Sequence, residues 1–352
     1  MIKSIITFLI FITVLFFVSC IDEVDFDVPR EYQNSTVIIG KIVKGTPSTV
    51  EVSIQKVFDF TFRIEQLITV KNVKIVNEEG DKLDVPRSGI GFYELSIYPD
   101  SEFKVEVGKL YSLEVELLDG QSFKSETAKL IGAPKVERFE PELVSKEVLN
   151  DENELVTRTK IEYKISTSLL SGLEQSRTNL KWDFIRTYKV TDNTDNVCYA
   201  STLVDFDLIQ FVNHNDIATS SLDDLLILEQ IPSPLLVEGQ YLFAIQEALD
   251  DGALQFWEQV NQLSTNSGTF FEPPPGQLIT NFNKTSDLEG SAFGYFYATQ
   301  HDTLSAFVDG EFFGISTTYC PRPPTGDPAP PCEVCCLCTQ FHTTEKPAFW
   351  MD

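Results

Sequence analysis

From Ser35 to Ile131 apolar and polar residues alternate with the period of strands rather than helices. Val37-Ile38-Ile39 lead into Gly40-Lys41-Ile42-Val43, and Val50, Val52 and Ile54 alternate with Glu51, Ser53 and Gln55. Val70, Val73 and Ile75 precede a turn at Asn77-Glu78-Glu79-Gly80, with further strands expected at Phe92–Tyr98 and Tyr111–Leu118. Asp119-Gly120 supplies a hairpin turn, since Asp-Gly tolerates positive φ, and Ser122–Leu130 returns. About seven short strands with turns every ten residues or so predict an immunoglobulin-like β-sandwich over 35–131.

Gly132-Ala133-Pro134 marks a boundary, because a Gly-x-Pro step breaks strand pairing. Strand character resumes at Leu155–Thr167, Leu180–Val190, Val204–Val212 and Tyr241–Ala248. The period then changes. After Asp250-Asp251, which can cap a helix, Leu254, Trp257, Val260 and Leu263 define one apolar face, so residues 252–263 are expected to form an amphipathic helix. Trp257 on that face is expected in packing rather than as a ligand platform. Strands return at Gln277–Phe282, Phe293–Thr299 and Ser305–Val308. The expected fold is therefore mainly β: a sandwich over 35–131, then a larger β-rich domain over 132–319 with the inserted helix, then a Pro/Cys-rich tail over 320–352 pinned by disulfides.

Residues 1–19 lie outside this pattern. Lys3 precedes a predominantly apolar run from Ile5 to Val18, and Ser19 and Cys20 follow. A charged start, a short apolar core and a small residue at the break make a secretory signal. The run is too short to span a bilayer comfortably. Phe17-Val18-Ser19-Cys20 resembles a bacterial lipobox, in which Cys20 would be lipidated and become the first mature residue. Several acyl chains hold a protein on a membrane almost permanently. The alternative is an ordinary cleaved signal whose Cys20 joins a disulfide. Residues 20–34 then read as an acidic tether: Asp22, Glu23, Asp25 and Asp27 repel one another and keep it extended. An acidic patch behind a lipidated Cys also resembles the surface-export signal of lipoproteins in Bacteroidetes-type bacteria.

The formal charge of −26 argues against nucleic acid and against broad contact with anionic headgroups. Beyond Cys20 the cysteines are Cys198, Cys320, Cys332, Cys335, Cys336 and Cys338, an even number that reads first as disulfides outside the cytosol. Their pairing is open, although Cys198 is the natural distant partner for the tail. Cys332, Cys335, Cys336, Cys338 and His342 have ligand types suited to zinc. An oxidising compartment favours disulfides instead, so no metal is expected.

Catalysis is poorly supported. His214, His301 and His342 stand in different segments, and no catalytic motif or phosphate-binding glycine loop is present. No enzyme activity and no cofactor are expected. Asp192-Asn193-Thr194-Asp195-Asn196 has oxygens for Ca²⁺ but lacks the glycine and distal Glu of an EF-hand loop, so it reads as a polar turn. Asp302-Thr303-Leu304 resembles a short bacterial O-glycosylation acceptor, which makes Thr303 a candidate. Phe270, Phe271, Pro273, Pro274 and Pro275 form a stiff, donor-poor edge that could seal the domain or meet a partner. Trp182 and Trp350 could serve glycan binding or pack in cores.

Phe256-Trp257-Glu258-Gln259-Val260, the run Gly268 to Gln277, Asn281, and Gly294-Tyr295-Phe296-Tyr297-Ala298-Thr299 together resemble a family of Bacteroidetes outer-membrane lipoproteins of unknown function. The closing Lys346-Pro347-Ala348-Phe349-Trp350 also matches, whereas Thr280 stands where a Gly usually precedes Asn281. The genes of that family typically neighbour a TonB-dependent transporter. The resemblance implies a surface lipoprotein held to the outer membrane by lipid and partnered with that transporter or another outer-membrane barrel, as lid, scaffold or cargo-capture subunit. The alternatives are a structural subunit of an assembly or secretion machine, and a glycan-binding module.

Overall fold

The computed structural model describes residues 35–56, 66–150, 152–171, 175–191, 196–204, 209–265, 279–288, 290–314 and 344–351. Within them the chain is mainly β, with nineteen strands numbered β1–β19 along the sequence. The largest sheet has ten strands. Its order is β13(Val197–Leu203), β12(Asn179–Thr191), β16(Gln240–Leu249), β19(Phe296–Val308), β1(Thr36–Lys44), β2(Ser48–Lys56), β6(Phe92–Ile97) and β5(Arg87–Gly89). β14(Gln210–Val212) pairs with β12, and β18(Ala292–Phe293) pairs with β1.

Two smaller sheets pack side by side on the inner face of this large one. The first comprises β17(Phe282–Lys284), β8(Ser122–Ser125), β7(Leu110–Glu116), β3(Asn72–Asn77) and β4(Lys82–Asp84), with β9(Ala128–Lys129) also on β7. Between it and β1, β2, β6 and β19 lie Ile38, Ile42, Val50, Ile54, Ile75, Leu113 and Phe296, all fully buried. The second comprises β10(Val136–Leu149), β11(Leu155–Ser168) and β15(Ser221–Gln230). It closes a separate core of Phe139, Ile161, Tyr163, Ile165, Trp182, Phe184 and Leu242 against β12, β16 and β19. The molecule is thus two sandwiches that share one continuous sheet.

Alternation explains the first sandwich. In β1 and β2 the even residues Ile38, Ile42, Val50, Val52 and Ile54 point into the core, and β-branched side chains suit a pleated, half-buried surface. The Asp119-Gly120 turn forms as expected, with Gly120 at φ +91°. The sandwich is not completed within 35–131, however. β17, β18 and the first half of β19 return from residues 282–300 to fill it, so it departs from a self-contained immunoglobulin-like unit. Phe296–Gln300 pair in parallel with Gly40–Lys44, while His301–Val308 pair antiparallel with β16. One uninterrupted strand therefore replaces the two expected at 293–299 and 305–308.

Five strands, the short β4 and β5 together with β10, β13 and β15, have no counterpart among the strands expected from sequence. β10 carries six charged residues and Pro141, and most of it is exposed. It is an edge strand, where proline costs no ladder bond that matters. β13 and β15 are likewise short of apolar alternation, and β15 contains Asp224 at φ +51°. Of the strand expected over 204–212, residues 205–208 lie outside the described residues.

Gly294 lies two residues before the shared strand at φ +101°, and a Cβ there would stand 2.1 Å from the Ile38 carbonyl oxygen. Gly294→Ala is accordingly expected to destabilise the fold by at least about 2 kcal/mol, read as a lowered midpoint in denaturant unfolding.

Candidate functional site

The outer face of the shared sheet, opposite the two cores, carries a row of charged side chains aligned by strand register. Lys181 of β12 faces Glu247 of β16. Lys41 of β1 faces Tyr297 of β19 on one side and Glu51 of β2 on the other. Glu51 in turn faces Glu94 of β6. In sequence each of these residues occupies the polar beat of a strand, which ordinarily means solvent.

Here the middle of the row is covered. Helix α1(Asp251–Thr265) follows β16 directly, capped by Asp250 Oδ1, which accepts from the Ala253 N–H at 2.7 Å. The expected helix is thus present, with Ala253, Leu254 and Phe256 buried against the sheet. Asn261 of α1 holds the Ile209 backbone through two hydrogen bonds of 2.8 Å. Beneath this cover Glu247 and Lys181 are only 1% and 5% exposed at their side chains.

The buried charges are mutually satisfied. Glu247 accepts from Lys41 Nζ at 2.6 Å and from the Tyr297 hydroxyl at 3.1 Å, and Lys181 Nζ lies 3.5 Å away. Lys181 also donates to Asp183 at 2.6 Å and stands 5.3 Å from the Trp257 ring centroid, a cation–π distance. Burial alone would raise the Glu247 carboxyl, but the Lys181 and Lys41 charges outweigh it and hold the group down at about 2. Burial opposes the charge on Lys41, yet Glu247 and then Glu51 carry its ammonium above the ordinary lysine range. Tyr297 is pushed well up by burial and by Glu247. None of these three changes charge near neutral pH, so they act as fixed charges and dipoles rather than as acid–base groups.

Where the helix cover ends, the same face opens into a groove of about 540 Å³. Ile39, Phe92, Ile209 and Trp257 form its apolar walls, and Lys41, Glu51, Glu94, Lys181 and Asp183 its polar ones. Phe92 is 46% exposed at the mouth. Trp257, expected in packing alone, is half-buried and lines this groove, and its indole N–H is buried with no hydrogen-bond partner. The far end of the outer face has another cover. Residues 344–351 dock there, with the Trp350 ring 5.0 Å from Tyr199 and 5.2 Å from Tyr241, and Phe349 4.8 Å from Phe243.

Few sequence candidates meet at this groove. Cys20, Cys320, Cys332, Cys335, Cys336 and Cys338 lie outside the described residues, as do Phe270, Phe271, Pro273, Pro274, Pro275, His342 and Asp192–Asp195. Cys198 is fully buried on β13. Thr303 is exposed on β19, opposite Ile245, and its neighbour Asp302 accepts from the Val136 N–H at 2.7 Å. Trp182 and Trp350 are both buried, Trp182 donating to Gln246 at 3.1 Å, so neither offers a free ring face. His214 bonds Asn179 while His301 sits on β19. Among the described residues no cluster of His, Cys, Asp and Glu could hold a metal, and no helix is long and apolar enough to cross a membrane. The charged set Lys41, Glu247 and Lys181 escaped the sequence reading, because nothing local distinguishes a strand's covered polar face from its wetted one.

The structure defines a mainly β protein of two fused sandwiches with a ligand-sized groove on their common sheet. The chain belongs to a family described as a domain of unknown function (DUF4249), whose model matches residues 21–305. No curated protein matches it. The matched span includes the charged row, the groove and α1, whereas the cysteine-rich tail and Phe349-Trp350 lie beyond it.

Glu247 couples stability to pH in the acid range. Its folded pKa lies below the ordinary carboxylate value of 4.5, so its stabilisation is complete above the unfolded value and is lost as pH falls from there toward about 2. Glu247→Gln leaves two buried ammonium groups short of a counter-charge and is expected to cost about 3–5 kcal/mol at neutral pH. Its stability should also fall less steeply than the parent's below pH 4.5, measured by chemical denaturation across the acid range.

Proposed function

We propose that this chain is a lipid-anchored lipoprotein on the outer surface of a Bacteroidetes-type bacterium, an accessory subunit of a TonB-dependent transporter whose groove captures the cargo. The groove carries the capture reading. It is open, ligand-sized and partly apolar with a few convergent charged groups, which is the usual form of a small-molecule site. The lipobox ending at Cys20 and the acidic tether behind it support the location. The resemblance to lipoproteins encoded beside such transporters supports the partner.

A structural subunit of an assembly or secretion machine is the second reading. It is favoured by the β10–β11 hairpin, at whose tip Leu149 and Leu155 are 62% and 70% exposed, a contact that needs no cargo. Under either reading the tail is proposed to be pinned by a disulfide from Cys198. Cys198 is fully buried on β13, and Trp350 docks on Tyr199, the next residue along β13.

Crosslinking in whole cells followed by purification of the native protein separates these readings. Recovery of a transporter barrel supports the first and an assembly barrel the second; a protein recovered alone at native abundance defeats both. Cys20→Ala is expected to release the protein from the membrane fraction, and retention with surface protease sensitivity would contradict the anchor. Thiol titration of the untreated protein should find few reactive groups. Four or more would rule out the disulfide-pinned tail.

A further inference from the structure

We propose that the groove takes an organic cation, a primary amine or guanidinium carried on an apolar body. This rests on the capture reading above and names the chemistry of the cargo. The first argument is the balance of charge. Four carboxylates, Asp183, Glu247, Glu51 and Glu94, surround two ammonium groups, Lys41 and Lys181. Both ammonium groups are already engaged at 2.6 Å, Lys41 by Glu247 and Lys181 by Asp183. An anionic ligand would have to break these buried pairs to be neutralised. A cation would not.

The surplus negative charge is also in the right place. Glu51 and Glu94 stand directly opposite each other across β2 and β6, and like charges so placed repel. The nearest cation to Glu51 is Lys41 at 3.6 Å, and no ion pair reaches Glu94 among the described residues. Both line the groove at its open end. A pair that costs stability in the empty protein would be relieved by a positive group lying between its members.

The walls supply the rest. Phe92 is two residues from Glu94 on the same face of β6, so its exposed ring flanks the carboxylate pair. A cation over such a face gains further attraction. Lys181 over Trp257 is an internal example on the opposite wall. Ile39 and Ile209 leave room for an apolar body, and low-dielectric walls focus the field of the carboxylates toward the mouth.

The test is calorimetric titration of the full chain in detergent with phenethylamine and lysyl-phenylalanine amide, using phenylacetate as the anionic counterpart. Saturable binding of the amines, one per chain, is expected, with no binding of phenylacetate. Glu94→Gln and Glu51→Gln should each weaken amine binding by about tenfold or more, equivalent to roughly 1.4 kcal/mol. Glu94→Gln should keep or raise the melting temperature, because it removes a repulsion; a merely structural carboxylate would lower it. Equal or tighter binding of phenylacetate, absence of saturable amine binding, or unchanged affinity in both variants overturns the proposal. A barrel recovered by crosslinking without amine binding leaves the accessory role standing and removes only this assignment. Amine binding by a protein recovered alone does the reverse.

Discussion

Five residues of the last long strand, Phe296–Gln300, lie parallel to Gly40–Lys44, and the rest of the molecule depends on that pairing. Without it the large sheet would fall into two, β1-β2-β6-β5 on one side and β13-β12-β16-β19 on the other. The paired segments are roughly 250 residues apart in sequence, so their contact costs loop-closure entropy that only the finished cores offset. The first sandwich, lacking β17 and β19 until the chain returns, cannot close early. The strand that closes it is the one that continues into the second core through Ala306 and Val308. Two cores joined through a single strand are expected to be lost together rather than as independent domains.

The same continuity produces the site. A two-layer sandwich leaves the outer face of each sheet to water, and polar residues belong there. In this chain the outer face of the shared sheet is long enough to be treated three ways. Residues 344–351 cover one end, α1 covers the middle, and the other end is left open. Charged side chains along this face therefore pass from deep burial at Glu247 and Lys181 to exposure at Glu51, which is 49% exposed. The buried members neutralise one another and fix the floor. The outer members are left with unspent charge at the mouth.

Much of this was legible in the sequence, and what was missed has a physical reason. β1, β2, β7, β11 and β16 announce themselves by apolar alternation because one face of each meets a core. The helix is visible through the Asp250 cap and its apolar face. β10 is not, since a hairpin edge with few buried residues needs no apolar period. The parallel contact of β1 with β19 is invisible because nothing local in either strand records its partner. The groove escaped for a similar reason. Lys41, Lys181 and Glu247 look like ordinary solvent-facing residues until α1 is laid over them, and Trp257 reads equally well as packing. The conspicuous motifs, the prolines near 273–275 and the tail cysteines, lie outside the described residues.

Where the chain enters the fold bears on how such a groove would work. β1 begins at Thr36 and contributes Ile39 and Lys41 to the groove within its first six residues. If Cys20 carries the lipid, fourteen residues separate it from Ser35, a span of at most about 50 Å even when fully extended. The groove is then confined to a shell close above the membrane in which the proposed barrel also sits. Confinement of that kind raises the effective concentration of groove and barrel toward the millimolar range without any further contact between them. Weak, rapidly reversible capture would therefore suffice for cargo to be handed on. A half-open groove with an exposed Phe92 at its mouth is better suited to that than to retention.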